Sequence, residues 1–131
     1  MTPSPASDVP ASDAHRRAGI AAHAADDKKG DDIRVVDVGE ILSIAEVFLF
    51  VSASNTRLVR TIVDEIELAL KLADDESPRS VEGLDDSTWV LMDYGDVIVH
   101  VFLADTRAFY DLDRLWADAP VVEWTALPAY T

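Results

Sequence analysis

The feature that most constrains the fold is a pair of apolar segments, residues 89–94 and 97–102, joined by Gly95-Asp96. Both segments are rich in β-branched and aromatic residues, which favour strands. A two-residue connection that contains glycine is typical of a tight turn between antiparallel strands. The sequence therefore predicts a β-hairpin in which Trp89 lies opposite Phe102.

The alternation of side chains along the strands gives this hairpin two different faces. One face is apolar and is expected to pack on helices; it consists of Val90, Met92, Tyr94, Val97, Val99 and Val101. The other mixes large apolar groups with a carboxylate and an imidazole; it consists of Trp89, Leu91, Asp93, Ile98, His100 and Phe102. Aromatic groups among polar neighbours are typical of protein interfaces. The second face is thus either a binding surface or a core face that another helix covers, and the pattern favours neither.

Three segments have the pattern of helices. Residues 14–29 are rich in alanine and follow a capping residue at Ser12. Residues 54–73 repeat apolar side chains every four positions, which predicts a helix with one buried stripe. A last helix is expected to begin with Thr106 as its cap and to place three large residues on one face, namely Phe109, Leu112 and Trp116.

A β-branched run at 33–37 and an apolar run at 46–51 are predicted to be further strands, and a short strand is predicted at 80–82. The run at 46–51 is apolar almost throughout, so it is expected to be buried on both faces of a sheet. Helices and strands therefore alternate along the chain. This order predicts the α/β (α+β) class, with one mixed β-sheet flanked by helices.

A chain of 131 residues fits one domain of ordinary size. Residues 1–11 contain three prolines among small residues and are predicted to form a disordered tail. The folded domain is expected to span residues 12–118, followed by a C-terminal tail at 119–131. The chain has no cysteine, which excludes disulfides, a cysteine nucleophile and thiolate metal sites.

The composition is strongly acidic, with 25 Asp and Glu against 11 Lys and Arg and a formal net charge of −14. Affinity for a phosphate backbone comes mainly from Lys and Arg, so the charge argues against direct binding to nucleic acid. It suits a basic protein partner, although it is also explained by a surface that keeps the protein in solution. Because no apolar run approaches the roughly 20 residues of a membrane helix, and no signal peptide is recognisable, we expect a soluble cytoplasmic protein.

Residues that could perform chemistry are few. Adjacent acid pairs such as Asp26-Asp27 lie at predicted element ends and are interpreted as turn or cap residues. Asp111 and Asp113 fall in a predicted helix, which turns them in different directions. Neither Ser52 nor Ser54 lies in a G-x-S-x-G motif, and no Walker or G-x-G-x-x-G loop occurs. No catalytic residue, metal site or cofactor is therefore predicted.

Residues 89–102 read W-V-L-M-D-Y-G-D-V-I-V-H-V-F. Further motif residues lie downstream in 106–116 and upstream in 37–59. This pattern closely resembles the ribosomal silencing factor (RsfS/Iojap) family, and the resemblance covers residues 18–120. The chain departs from the usual family pattern before the second helix, at Glu46-Val47, Ala53 and Asn55-Thr56.

The resemblance implies a fold similar to that of nucleotidyltransferases but no enzymatic activity and no cofactor. Members of the family bind the large ribosomal subunit through ribosomal protein L-fourteen and keep the small subunit from joining when nutrients are low. The implied partner-binding residues lie on the hairpin; they are Trp89, Leu91, Asp93, Tyr94, Asp96, His100 and Phe102. Trp89 and Phe102 would supply apolar contact, while the aspartates would meet Lys or Arg of the basic partner.

Three alternatives stay open on the sequence alone. A large-subunit assembly factor would use the same surface and then leave the finished particle. An active nucleotidyltransferase is suggested only by analogy of fold, which is a weak argument for function. A homodimer that forms away from the ribosome would hide the docking face.

Overall fold

The computed structural model describes residues 12–39 and 45–129, so the tail predicted at 1–11 lies outside the described residues. Within these ranges the helices are α1 Asp13–Asp27, α2 Thr56–Asp74, α3 Ala104–Tyr110 and α4 Leu112–Leu115. The strands are β1 Asp31–Asp37, β2 Val47–Ala53, β3 Ser80–Glu82, β4 Trp89–Asp93, β5 Val97–Leu103 and β6 Val121–Val122. They form one mixed sheet in the order β3-β4-β5-β2-β1-β6. The predicted fold class is confirmed.

The predicted hairpin is confirmed together with its register. β4 and β5 are antiparallel, and Trp89 lies opposite Phe102. At the turn, the Tyr94 N–H donates to the Val97 carbonyl at 2.9 Å. Gly95 has a φ of +91°, a left-handed conformation that a residue with a Cβ disfavours. The turn therefore needs its glycine.

β2 lies inside the sheet and is buried along its whole length. It pairs parallel with β5 and antiparallel with β1. Parallel strands need a long crossover connection, which here contains α2. The prediction that this apolar run is covered on both faces is confirmed.

α1 and α2 cover one face of the sheet. The Ser12 hydroxyl caps α1 as predicted, accepting from the His15 N–H at 3.1 Å. α2 begins at Thr56 because the Asn55 side chain is its cap and accepts from the Leu58 N–H at 2.8 Å. A row of almost fully buried small side chains lets α1 approach the sheet closely; these are Ala14, Ala18, Ala21, Ala22 and Ala25.

The apolar face of the hairpin packs beneath these helices, as its pattern predicts. All of its side chains belong to the larger core cluster; they are Val90, Met92, Tyr94, Val97, Val99 and Val101. The buried stripe of α2 completes this core with Val59, Ile62, Val63, Ile66 and Leu70. Among the described residues, no helix is both long and apolar enough to cross a bilayer.

The prediction of one continuous last helix is wrong. The chain forms α3 and α4 with a break at Asp111, whose φ is +51°. α3 already begins at Ala104, so Thr106 lies inside the helix and does not cap it. An ion pair between the Arg107 guanidinium and the Asp113 carboxylate, 3.1 Å apart, spans the break and holds the two short helices together.

Because of this break, the three large residues predicted to share a helical face do not share one. Leu112 and Trp116 pack on the sheet face opposite α1 and α2. Phe109 points away from it and is 80% exposed. The second half of the segment thus covers part of the sheet, while the end of α3 presents an apolar side chain to solvent.

The sequence predicts a C-terminal tail at residues 119–131. In the structure, β6 pairs antiparallel with β1, and a 3-10 turn at Trp124–Ala126 follows it. The Trp124 indole N–H donates to the Ile33 carbonyl at 3.2 Å, and His23 Nε2 lies 2.8 Å from the Leu127 carbonyl oxygen. These residues therefore cover the β1 edge of the sheet and contact α1.

Candidate protein-binding surface

The sheet face opposite α1 and α2 carries a second, smaller core cluster. Six hairpin side chains point to this side, and we name them the hairpin face; they are Trp89, Leu91, Asp93, Ile98, His100 and Phe102. Among residues 12–39 and 45–129, the two short C-terminal helices cover part of this face and leave the rest uncovered. Both interpretations left open by the sequence therefore apply, each to a different half of the face.

The covered half is an aromatic cluster around Phe102, which has no exposed surface. The Trp89 ring lies 5.1 Å from the Phe102 ring and 5.2 Å from the ring of Tyr110. Trp116 packs edge-to-face on Phe48, with centroids 5.1 Å apart. Phe102 is thus a core residue that supports the surface, whereas Trp89 lies at the margin of the cover and stays partly exposed.

The other half, which we call the open half because no described residue covers it, is a hollow of about 390 Å³ beside the hairpin turn. Its lining is mostly apolar and includes one basic and one acidic side chain; the lining residues are Ala45, Phe48, Arg79, Leu91, Asp93, Gly95, Ile98 and His100. One Asp93 oxygen, Oδ1, accepts from the Gly95 N–H at 2.7 Å. Since Leu91, Asp93 and Ile98 are each partly exposed, this half presents the mixture of apolar and charged groups expected of a protein interface.

His100 lies beneath the surface rather than on it. Its Nδ1 accepts from the Trp89 indole N–H at 3.2 Å, so the ring proton lies on Nε2. The imidazole stacks on Phe102 with an interplanar angle of 7°. Burial lowers the pKa of His100 to about 4, and the ring is neutral at pH 7. Its visible role is to position Trp89.

Asp96, predicted to meet a basic partner, is already paired with another residue of this chain, although its side chain is 41% exposed. Its carboxylate accepts from the Arg17 guanidinium of α1, which also pairs with Glu76 at 2.7 Å and with Asp13 at 3.2 Å. Burial alone would lower the pKa of Arg17, but the hydrogen bond and charge of Asp96 raise it above its ordinary value. Asp96 thus anchors the hairpin turn to α1.

Tyr94 points away from the hairpin face. It is 5% exposed and belongs to the core beneath α1 and α2. Burial raises the pKa of its hydroxyl above the ordinary range. The strand alternation places Tyr94 inward, whereas the family resemblance named it as a partner-binding residue. Its part in binding stays a prediction.

Several residues of this surface were not singled out by the sequence analysis. Phe48 and Arg79 line the hollow, but neither is near the hairpin in sequence. Phe48 reaches it because β2 pairs with β5 in a register that places it beside Ile98. Three exposed apolar side chains extend from α3 and α4; Tyr110 and Leu115 were not singled out, and Phe109 was expected on a shared helical face. They lie on either side of the break at Asp111, which the spacing of apolar residues in the sequence does not predict.

The residues weighed for catalysis form a structural contact instead. The Ser52 hydroxyl accepts from the Arg107 guanidinium at 2.9 Å, and the same guanidinium donates to the Asp32 carbonyl at 2.6 Å. Asp113 pairs with Arg107 as well, while Asp111 lies at the break between the helices. Arg107 thus balances the charge of Asp113 and holds the Ser52 hydroxyl in place. These residues link β2 to the C-terminal helices.

The described geometry can be compared with known proteins. The family model "Ribosomal silencing factor during starvation" matches residues 11–130. The chain belongs to this family. It is 41% identical over 106 residues to ribosomal silencing factor RsfS of Bacillus subtilis, a match that covers 79% of this chain and 87% of the relative. It is also 31% identical over 108 residues to chloroplastic Iojap of Zea mays, covering 78% of this chain and 44% of that longer protein.

Two solved structures that align over most of their length have the same fold. A crystal structure of a Chromobacterium violaceum protein aligns with a TM-score of 0.77 and 30% identity, covering 81% of this chain and 88% of that one. A second, from Bacillus halodurans, aligns with a TM-score of 0.69 and 34% identity, covering 79% and 93%. The relatives are named for a regulatory action on ribosomes rather than for an enzymatic reaction.

Proposed function

We propose that this protein binds the large ribosomal subunit through ribosomal protein L-fourteen and thereby keeps the small subunit from joining. The proposal is supported by membership of the ribosomal silencing factor family. The structural observation that carries it is the open half of the hairpin face, a mostly apolar hollow with one basic and one acidic side chain in its lining. Such a surface on a folded domain is a typical protein-binding site.

Binding would combine apolar contact with charge. Trp89 and Leu91 are only partly buried, so a partner that covers them removes further apolar surface from water. Asp93 lies beside them and would meet Lys or Arg of a basic ribosomal protein, which contributes orientation and association rate more than affinity. A body of this size bound at the subunit interface excludes the small subunit by its volume. No chemical step is needed.

The direct test is sedimentation of separated ribosomal subunits, mixed at magnesium concentrations that permit joining, with and without excess protein. Comigration with large subunits and loss of joined ribosomes would support the proposal. Comigration without loss of joining would favour an assembly role instead. Absence of comigration would contradict ribosome binding by this chain.

Replacing Trp89 with alanine is expected to weaken binding to the large subunit by about 2 kcal/mol, a factor of about 30. The indole is the large aromatic group at the margin between the covered and open halves, where a partner would complete its burial. Affinity is measured by titrating labelled protein with large subunits.

The matched control is Leu72→Ala, since Leu72 is 77% exposed on α2, on the opposite side of the sheet. This variant should bind like the wild type. Because Trp89 also packs on Phe102, Leu91→Ala serves as a second variant with less effect on the core. If folded Trp89→Ala and Leu91→Ala proteins both bind normally, the hairpin face is not the docking site.

Raising the salt concentration is expected to slow association with the large subunit. A net charge of −14 attracts a basic partner over a distance that shortens as ionic strength rises. Between about 50 and 500 mM salt, the association rate constant should fall by about tenfold, as measured by stopped-flow fluorescence. An Asp93→Asn variant should show a shallower dependence, and an association rate independent of salt would refute electrostatic steering.

A further inference from the structure

Three potential metal ligands converge away from the hairpin face. His15 lies in the first turn of α1, Asp37 ends β1, and Glu46 immediately precedes β2. His15 Nε2 lies 2.9 Å from Asp37 Oδ2 and 4.0 Å from Glu46 Oε2. One ligand atom from each residue lies within 4.8 Å of the others. The three residues are far apart along the chain, so the sequence alone does not bring them together.

We propose that His15, Asp37 and Glu46 form a binding site for a divalent transition metal of the zinc class. Zinc binds histidine nitrogen and carboxylate oxygen at about 2.0–2.2 Å in tetrahedral geometry, which separates neighbouring ligand atoms by roughly 3.4 Å. The separations of 2.9 and 4.0 Å lie on either side of this value. Small side-chain rotations would therefore bring the three atoms around one ion.

The backbone supports each ligand in its place. The Gly39 N–H donates to Asp37 Oδ1 at 3.0 Å, which leaves Oδ2 directed at His15. The His15 N–H is fixed by the Ser12 cap. The Glu46 N–H donates to the Asp96 carbonyl at 2.8 Å. The bond to Asp37 orients a ligating group directly, which is a regular part of protein metal sites and strengthens binding. The other two bonds fix the backbone from which His15 and Glu46 extend.

The choice of ligands selects the class of ion. Calcium takes six to eight oxygen ligands, and magnesium prefers oxygen in near-ideal octahedral geometry. One imidazole with two carboxylates suits zinc and its neighbours in the first transition series instead. The side chains of His15, Asp37 and Glu46 are 16%, 30% and 40% exposed. Solvent can therefore reach the site and fill the remaining coordination position.

A bound ion would join α1 to β1 and β2 at the end where Asp37 and Glu46 lie. Without the ion, the His15–Asp37 contact is the direct side-chain link there. An ion that binds the folded state and not the unfolded chain stabilises the fold by mass action. Addition of Zn²⁺ should therefore raise the midpoint of thermal unfolding, and this effect should require the three ligands.

The experiment is calorimetric titration of Zn²⁺ into the full, tag-free chain, with several millimolar Mg²⁺ present to occupy diffuse acidic sites. The expected result is saturable binding of one Zn²⁺ per chain. His15→Gln and Asp37→Asn should each weaken it by at least about tenfold. The Asn side chain can still accept from Gly39, so Asp37→Asn removes the charge with little change to the turn. Co²⁺ should give the intense visible absorption of a tetrahedral complex with the wild type but not with these two variants.

The matched control is His23→Gln, because His23 lies on the same helix but contacts Leu127. This variant should bind Zn²⁺ and Co²⁺ like the wild type. Equal binding by the His15→Gln and wild-type proteins would overturn the proposal, because the ion would then bind elsewhere. No saturable binding by the folded wild type would overturn it as well.

Discussion

Replacing Phe102 with alanine is expected to lower the free energy of unfolding by about 3–5 kcal/mol. Phe102 has no exposed surface, and its ring packs against those of Trp89 at 5.1 Å, His100 at 5.8 Å and Phe50 at 6.3 Å. Truncation would leave a cavity among these rings, which the strands on either side cannot close. Unfolding in guanidinium chloride, followed by tryptophan fluorescence, measures the loss.

The matched control is Phe109→Ala, which removes the same side chain from a position that is 80% exposed. Its effect on stability should stay within about 0.5 kcal/mol. A similar loss in both variants, or a loss below about 1 kcal/mol for Phe102→Ala, would contradict the assignment of Phe102 to the core. Phe102 and Trp89 therefore differ in role: Phe102 is fully buried, whereas Trp89 keeps exposed surface that a partner could cover.

The hairpin could be predicted in detail because its information is local. The two-residue turn fixes which residues lie opposite each other, and the pleat then fixes which side chains share a face. Val90 and Met92 are buried beneath the helices as this argument requires. The same holds for Ser12, whose capping hydrogen bond spans only three residues. Features of this kind need no knowledge of the rest of the fold.

Features that depend on long-range contacts could not be predicted in this way. The break at Asp111 is held by Arg107, which also reaches Ser52 and the Asp32 carbonyl in other strands. Arg17 likewise anchors Asp96, which lies far along the chain on the hairpin turn. Such contacts exist only once the sheet has formed, and the spacing of apolar residues along a helix does not predict them.

The candidate site lies between these two cases. Alternation identified the correct six side chains of the hairpin face, but it could not tell which of them the C-terminal helices cover. Coverage divides the face between the buried Phe102 and the partly exposed Leu91. The family motif does not make that distinction either, because a motif contains supporting residues as well as contact residues. The charge of Asp96 was assigned to a partner because Arg17 could not be placed beside it from sequence.

Lowering the pH from 6.5 to about 4 is expected to destabilise the fold through His100. Burial lowers the pKa of this imidazole from the ordinary value of 6.5 to about 4. Between these values the unfolded chain binds a proton that the folded protein does not, so stability falls as the pH falls. Since a tenfold change in proton affinity corresponds to about 1.4 kcal/mol, the loss should reach about 3 kcal/mol near pH 4.

The measurement is denaturant unfolding at intervals from pH 7.5 to about 4, with His100→Phe as the matched variant. Phenylalanine keeps a ring stacked on Phe102 but cannot titrate, and the acceptor lost by the Trp89 indole costs the same at every pH. The variant should therefore show a flatter profile in this window. A hydrogen bond from Arg16 lowers the pKa of Asp13 below its ordinary value. Asp13 is therefore protonated mainly at a pH below this window and contributes little to the slope measured here. Parallel profiles for the two proteins would show that His100 is not buried in its neutral form.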